Sequence, residues 1–329
     1  MIPADLSRCV VRAVRCAVDD GELAPAAAAP ARVVVERTRP GGVGDYATPV
    51  AFQVAKAARC APRDVAGVLA RRLGAEPGIE RVEVTGAGFL NFVLPAPSAP
   101  AVIIEAIVRD IAIRDVRGGA AHVLPADESG LGLRERVVRR SVLRLVAAEG
   151  GTERDLPDTL AVAPVARRDG DVVARYGADA AAWAMLAVPA RETPAFSDLL
   201  LHQGEANEFF RVRYAHARSR ALERNAGRLG FHQEPGDVDD VDEAAALLRL
   251  LADHPLVLEA AAYHRAPERL VRNLVELADA LVDFHHRVLP QGDEKPSAAH
   301  RARLALADAA GTVLAGGLAL LGMDAPERL

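Results

Sequence analysis

The first 95 residues mix helix-like and strand-like spacing of apolar positions. Apolar residues three or four positions apart predict helices at three places: residues 5–19, 48–59 and 62–73. Asp5 stands where an N-cap is expected. β-branched or alternating runs predict strands at residues 32–36, 79–84 and 89–94. The pattern therefore predicts an α+β domain over residues 1–95.

The pattern changes again near residue 196. Before that point, helices are predicted at 102–113, at 133–149 and from 178, and short strands at 122–125 and 160–165. From residue 196 onward the spacing is helical throughout. Its clearest stripe consists of five apolar residues on one helix face: Leu270, Leu274, Leu277, Leu281 and Phe284. We therefore predict a proline-rich linker leading into a small, degenerate α/β segment over residues 96–195, and an all-α helical bundle over residues 196–329.

Composition and charge narrow the class of protein. The 329 residues are 50% hydrophobic and 26% charged, which is typical of a soluble globular chain. The net charge of −5 argues against a broad basic field for non-specific nucleic-acid binding, and no DNA partner is expected. All of the 40 basic residues except Lys56 and Lys295 are arginines. Such a strong preference indicates a coding bias rather than selection for RNA contacts.

Cysteine usage and hydropathy predict a cytoplasmic protein without membrane contacts. The odd number of cysteines, three, shows no metal-type spacing and fits a reducing compartment. Glycines and prolines interrupt the uncharged run at 84–104, and the run at 309–323 is too short to span a bilayer. The acidic stretch 236–243 is interpreted as a solvated loop with a helix start at Asp240 rather than as a metal site. We expect no metal and no cofactor.

Four short motifs stand in a specific order between residues 44 and 92. They are Gly-Asp-Tyr-Ala-Thr at 44–48, Gln-Val-Ala-Lys at 53–56, Pro-Arg-Asp-Val-Ala at 62–66 and Gly-Ala-Gly-Phe-Leu-Asn-Phe at 86–92. In order and spacing they resemble the N-terminal additional domain of arginyl-tRNA synthetases. The resemblance implies that Phe89 and Asn91 contact the elbow of tRNA, where an aromatic ring stacks on an unpaired base and an amide reads its edge. The alternative is a core strand residue at Phe89 and a turn cap at Asn91.

A second run resembles the anticodon-binding domain of the same family. It reads Asn-Glu-Phe-Phe-Arg-Val-Arg-Tyr-Ala-His-Ala-Arg at 207–218, and Ala-Pro-Glu-Arg-Leu at 325–329 is also similar, although the family usually ends in Met. The resemblance implies a DALR-type helical bundle against which the anticodon loop of tRNA lies. The candidate contacts are Arg211, Arg213, Tyr214, His216, Arg218, Arg220 and Arg328.

The helix predicted around residue 214 has one apolar stripe. Phe210, Tyr214, Ala217 and Ala221 share it, which predicts the buried face of the helix. The flanking arginines could offer guanidiniums to phosphates, although the same pattern fits ordinary solvated arginines and a packed histidine. No serine or cysteine nucleophile pairs with His216 in the sequence, so catalysis by this histidine is not expected.

The middle segment resembles the catalytic domain of that family only faintly. The family's His-x-Gly-His signature falls on Ser129, Gly130, Leu131 and Gly132, so both histidines that stabilise the phosphates of ATP are absent. The Lys-Met-Ser-Lys-Ser loop has no counterpart before residues 175–180, and most of the nucleotide-binding sheet is not encoded. Losing one phosphate-stabilising donor typically costs about 10²–10³ in rate, so adenylation is not expected here.

Together these features predict a non-catalytic tRNA-binding protein related to arginyl-tRNA synthetase. Its expected partner is tRNA, in particular arginine tRNA, with an enzyme that uses aminoacyl-tRNA as a further partner. Two alternatives stay open. One is a regulatory module that docks on another enzyme, which the net charge and the acidic linker favour, and the other is a residual or unconventional arginine-tRNA ligase.

Overall fold

The computed structural model describes residues 2–26, 30, 33–95, 100–107, 122–157, 159–238 and 241–329. The chain divides into two compact units, over residues 1–98 and 99–329. Three sequence predictions lie outside the described residues: the linker at 96–99, the helix at 108–113 and the helix start at Asp240.

The first unit is a small antiparallel sheet with three helices. The helices are α1 (Asp5–Asp19), α2 (Val50–Ala58) and α3 (Pro62–Leu73), and the strands are β1 (Glu36–Arg37), β2 (Tyr46–Thr48), β3 (Arg81–Thr85) and β4 (Phe89–Val93). The strand order is β1-β2-β4-β3, so β4 is a central strand. Its Leu90 and Phe92 are fully buried together with Leu6 of α1 and Leu69 of α3. The α+β prediction is confirmed for this unit.

Two local details of the first unit differ from the sequence prediction. Asp5 lies inside α1 and accepts a hydrogen bond from the amide of Ile2 at 3.0 Å, while Ala4 takes the N-cap position. The N-cap prediction was wrong because an aspartate is favoured by the helix dipole anywhere in the first turn. Residues 33–35 are buried, but pairing with β2 begins at Glu36, so the first strand starts later than the β-branched run.

A tight hairpin sets the position of Phe89. Thr85 of β3 pairs with Phe89 of β4, which leaves three residues for the connection. Gly88 adopts φ 143°, and a Cβ atom there would lie 3.0 Å from the carbonyl carbon and oxygen of Pro62 at the start of α3. Glycine accommodates both this backbone conformation and this close approach. Gly88 therefore allows the hairpin tip to rest directly on α3.

The second unit is helical. Its helices are residues 100–107, α4 (Leu133–Ala148), α5 (Val172–Tyr176), α6 (Ala178–Leu186), α7 (Glu208–Arg228), α8 (Val241–His264), α9 (Pro267–Phe284) and α10 (Ala298–Leu321). The predicted stripe from Leu270 to Phe284 is buried along its length, and it packs α9 against α8, α7 and α10. The helical prediction for residues 196–329 is confirmed. Trp183 of α6 and Val142 of α4 belong to the same core.

Helix α10 packs closely on two neighbours through glycines. A Cβ atom at Gly311 would lie 1.9 Å from Oγ of Ser219 on α7, and one at Gly317 would lie 2.5 Å from Cδ2 of Leu274 on α9. Among the described residues, α10 is also the one helix long and apolar enough to cross a membrane, yet 67% of its apolar window is buried inside the protein. These contacts are those of a core helix in a bundle.

The two strands predicted in the middle segment are not strands in the structure. Residues 122–125 and 160–165 join no sheet, although the amide of Ala163 donates to the carbonyl of Ala190 at 2.8 Å. This part of the chain is held instead by Arg134 of α4, whose side chain is buried. Its guanidinium donates to six backbone carbonyls: those of Ala163, Met185, Val188, Pro189, Ala190 and Glu192. One side chain thus provides donors for carbonyls at the end of α6, in the segment that follows it and at Ala163.

Candidate nucleic-acid interface

Helix α7 carries most of the candidate tRNA contacts, and its buried face is not the predicted one. The buried residues are Phe209, Val212, Ala215, His216, Ala217, Ser219, Leu222 and Ala226. Of the predicted apolar stripe only Ala217 is buried, whereas Phe210 and Ala221 are half-buried and Tyr214 is 40% exposed. The prediction was wrong because Phe209 and Phe210 are adjacent, and small residues rather than aromatic ones fill the face that meets α10.

The outward face of α7 displays two aromatic rings. The rings of Phe210 and Tyr214 stack with their centroids 5.9 Å apart and an interplanar angle of 25°. Arg218 follows one turn later on the same side of the helix. An exposed ring beside a guanidinium is a surface on which an unpaired nucleobase can stack while a phosphate is bound.

The four candidate arginines of α7 divide into two pairs. Arg211 binds Asp279 of α9 through Nε and Nη2, at 2.8 and 3.2 Å. Arg220 binds Asp308 of α10 at 2.6 Å and also Glu223. Both guanidiniums are therefore engaged within the bundle.

The other pair of arginines is available to a ligand. Arg213 lies over the ring of Phe209, with its guanidinium carbon 5.2 Å from the ring centroid. Neither Arg213 nor Arg218 forms an ion pair within the parts of the chain that the structure describes. Sequence spacing did not separate these two from Arg211 and Arg220, because the acidic partners lie on other helices.

His216 anchors the C-terminal segment to α7. Its Nδ1 is 3.1 Å from the carbonyl oxygen of Pro326, and since a carbonyl only accepts, Nδ1 carries the proton. Arg224 reaches the neighbouring carbonyl of Glu327 at 3.3 Å. Arg328 is exposed beyond this contact. His216 is thus a packed residue that places Arg328 near α7, and desolvation by burial lowers its pKa.

We expect the stability of the second unit to fall below neutral pH through His216. Because the pKa of the folded-state imidazole lies below its ordinary value of 6.5, the unfolded chain takes up a proton first. The contribution of neutral His216 to the free energy of unfolding is complete above pH 6.5. It is lost as the pH falls through the lowered pKa, by up to about 1.4 kcal/mol per pH unit. Urea titrations between pH 5 and 8, followed by the fluorescence of Trp183, measure it. His216→Asn keeps a donor for Pro326 without titrating, so equal pH slopes for both proteins would contradict the assignment.

The two candidates in the first unit have different environments. Phe89 is 44% exposed, and its ring meets that of Phe52 edge-on at 5.0 Å between centroids. Asn91 is buried, and its amide nitrogen donates to Oγ1 of Thr85 at 2.7 Å. Phe89 therefore offers a ring to a ligand, whereas the amide of Asn91 braces the hairpin that presents the ring. The sequence analysis did not name Phe52. Because Phe52 and the exposed Lys56 are four residues apart, they share one face of α2, and this spacing could have indicated that Phe52 lies near the surface.

The degenerate signature forms the turn before α4. Ser129 donates its amide to Asp127 at 2.8 Å, Gly130 adopts φ 77°, Leu131 donates its amide to the carbonyl of Glu128 and Gly132 is the N-cap residue. Backbone and side-chain hydrogen bonds from Ser129 lower the pKa of Asp127, and a hydrogen bond from Arg140 lowers that of Glu128. The carboxylate of Asp127 is therefore ionised within this turn, whereas that of Glu128 is ion-paired with Arg140 in the middle of α4.

Two models of known protein families match the two ends of the chain. Residues 6–94 match the arginyl tRNA synthetase N terminal domain, and residues 212–329 match the DALR anticodon binding domain. The first match coincides with the α+β unit, and the second covers most of the helical bundle. The motifs at 44–92 and 207–218 predicted the same two families.

A solved structure has a similar fold. The arginyl-tRNA synthetase of Thermus thermophilus aligns over the whole of both chains with a TM-score of 0.52 and 14% sequence identity. A putative arginyl-tRNA synthetase from Campylobacter jejuni aligns with a TM-score of 0.40 and 22% identity, over 48% of this chain and 35% of that one. The match to the second protein therefore spans about a third of its length.

Proposed function

We propose that the protein is a cytoplasmic, non-catalytic tRNA-binding protein whose partner is arginine tRNA. The outward face of α7 carries this proposal. Within an anticodon-binding domain, it combines the stacked rings of Phe210 and Tyr214 with the unpaired guanidiniums of Arg213 and Arg218. Stacking platforms flanked by cations suit the unpaired bases and phosphates of an RNA loop.

The first unit supports binding of the same RNA at a second place. The exposed ring of Phe89 sits on a hairpin braced by Asn91, and Lys56, Arg59 and Arg63 are exposed on the adjoining helices. Two separate contacts select a partner by shape, which suits a protein whose net charge of −5 disfavours indiscriminate RNA binding.

The turn before α4 supports the non-catalytic part of the proposal. Where the family signature supplies imidazoles to ATP, this chain has Ser129 and Gly132 preceded by the carboxylates of Asp127 and Glu128. Neither Ser129 nor Gly132 supplies the imidazole donors that stabilise phosphate in the family signature, and the ionised Asp127 adds negative charge to the same turn. Arginine-dependent exchange between ATP and pyrophosphate above background would favour the residual ligase instead.

Removal of the Tyr214 ring tests the proposal. Tyr214→Ala is expected to weaken binding of arginine tRNA about tenfold, since one base–aromatic stack contributes roughly 1–3 kcal/mol. Fluorescence anisotropy with labelled tRNA at several salt concentrations measures the effect. Tyr263→Ala is the matched control, because Tyr263 is similarly exposed but lies on α8.

Two results would contradict this function. One is equal affinity of the wild type for tRNA and for an unrelated RNA hairpin at moderate salt. The other is an equal loss of binding in the Tyr214 and Tyr263 variants. Recovery of a stoichiometric protein partner without RNA would favour the regulatory docking module.

A further inference from the structure

The pair formed by Arg211 and Asp279 lies along the edge of the proposed RNA-binding face. Arg211, Tyr214 and Arg218 follow one another at spacings of three and four residues, so they share one side of α7. Asp279 holds Arg211 through both carboxylate oxygens, at 2.8 Å from Nε and 3.2 Å from Nη2. The remaining nitrogen, Nη1, donates to the carbonyl of Glu205 at 2.6 Å. Each of the three nitrogens of this guanidinium therefore donates one hydrogen bond within the protein, and the edge formed by Nε and Nη2 is taken by Asp279.

The other ion pair of α7 differs in exposure. Arg220 and Asp308 have side chains that are 20% and 27% exposed, and Nη2 of Arg220 also contacts Oγ1 of Thr312. The side chain of Asp279 is 48% exposed, and that of Arg211 27%. The pair of Arg220 and Asp308 therefore locks α7 to α10, whereas Asp279 presents a half-exposed carboxylate bound to Arg211, which lies on the same side of α7 as Tyr214.

We propose that Asp279 determines the RNA selectivity of this face by occupying the guanidinium of Arg211, a proposal that rests on the tRNA-binding function above. A carboxylate and a phosphate use the same two-pronged geometry toward a guanidinium, so Asp279 takes the place that an RNA phosphate would occupy. A phosphate contact carries no sequence information, and an RNA that does not stack on Tyr214 can shift until one of its phosphates meets an unoccupied guanidinium. With Arg211 occupied by Asp279, binding depends more strongly on the ring of Tyr214, which requires an unpaired base.

Asp279→Asn tests this proposal by releasing Arg211 from its ionic partner. We expect affinity for an RNA hairpin to rise about tenfold. Affinity for arginine tRNA should rise less than threefold, because a base stacked on Tyr214 fixes where the phosphates of this RNA lie, so selectivity falls. The slope of log affinity against log salt for the hairpin should steepen by roughly 0.7–0.9, the value of one added phosphate contact. Asp283→Asn is the matched control, because it removes the same charge from an exposed position one turn further along α9. We expect it to change both affinities less than twofold.

Arg211→Ala completes a double-mutant cycle. In the wild-type background it should change tRNA affinity less than twofold, and in the Asp279→Asn background it should abolish the gain for the hairpin. Urea titrations followed by Trp183 verify that each variant is folded. Suppose that the wild type prefers tRNA. The role of Asp279 is then refuted, and tRNA binding stands, if Asp279→Asn behaves like Asp283→Asn or if the affinity gained by Asp279→Asn persists without Arg211. If the wild type shows no preference for tRNA, the proposed function fails, and the selectivity role fails with it.

Discussion

Replacing Arg134 by methionine is expected to destabilise the second unit by at least about 3 kcal/mol, because it leaves several buried carbonyls without a donor. The side chain of Arg134 is 1% exposed, and its Nη1 and Nη2 lie 2.8 Å from the carbonyl oxygen of Ala163 and 3.0 Å from that of Pro189. Methionine fills a similar volume, so the change tests the hydrogen bonds rather than a cavity. Urea unfolding followed by Trp183, the single tryptophan of the chain, reports on this unit.

Arg134→Lys distinguishes the geometry of the guanidinium from its charge. An ammonium group donates from a single point, whereas the planar guanidinium reaches carbonyls on several sides, from Met185 at Nε to Pro189 at Nη2. We therefore expect lysine to recover less than half of the lost stability. Arg136→Met is the control on the same helix, since Arg136 is partly exposed and, among the described residues, donates to one carbonyl, that of Leu131. A loss at Arg134 no larger than the control's would show that these hydrogen bonds contribute little.

The sequence predicted those parts of the fold that depend on local apolar spacing. Helix α9 is predicted well because its stripe from Leu270 to Phe284 has large residues on one face and few apolar ones on the other. Helix α7 is the opposite case, since its buried face includes Ala215, Ser219 and Ala226, whose small side chains give a weak pattern. The stripe through Phe210 and Tyr214 was stronger, and it belongs to the proposed interface.

Long-range partners could not be predicted from spacing. Asp279 follows Arg211 by 68 residues, and the carbonyls around Arg134 follow it by 29 to 58. The motifs placed Phe89 and Tyr214 among the candidates, and the structure exposes both rings. They could not show that Arg211 has an ion-pair partner while Arg218 has none in the described part of the chain, because that difference depends on which acidic side chains the bundle brings to α7.

A single methyl group at Gly311 is expected to separate α7 from α10. The added Cβ atom would lie 1.9 Å from Oγ and 2.7 Å from Cβ of Ser219, a distance that neither helix can accommodate without moving. Overpacking of this kind typically costs about 1–3 kcal/mol. Gly316→Ala makes the same chemical change one and a half turns later, at an exposed position with no atom within 4 Å. It should stabilise the helix by up to about 1 kcal/mol.

The difference between these two alanine variants isolates the contact from helix propensity. We expect Gly316→Ala to exceed Gly311→Ala in stability by about 2–4 kcal/mol, measured by urea unfolding with Trp183 fluorescence. Ser219→Gly removes the atoms that the new methyl group meets, so the double variant with Gly311→Ala should be more stable than the sum of the single changes predicts, by about 1–2 kcal/mol.

Additive effects, or equal stability of the two alanine variants, would mean that α10 shifts freely on α7. In that case Arg220 and Asp308, on either side of the same contact, would not hold α7 in a fixed orientation, and the face that carries Tyr214 would not be rigid.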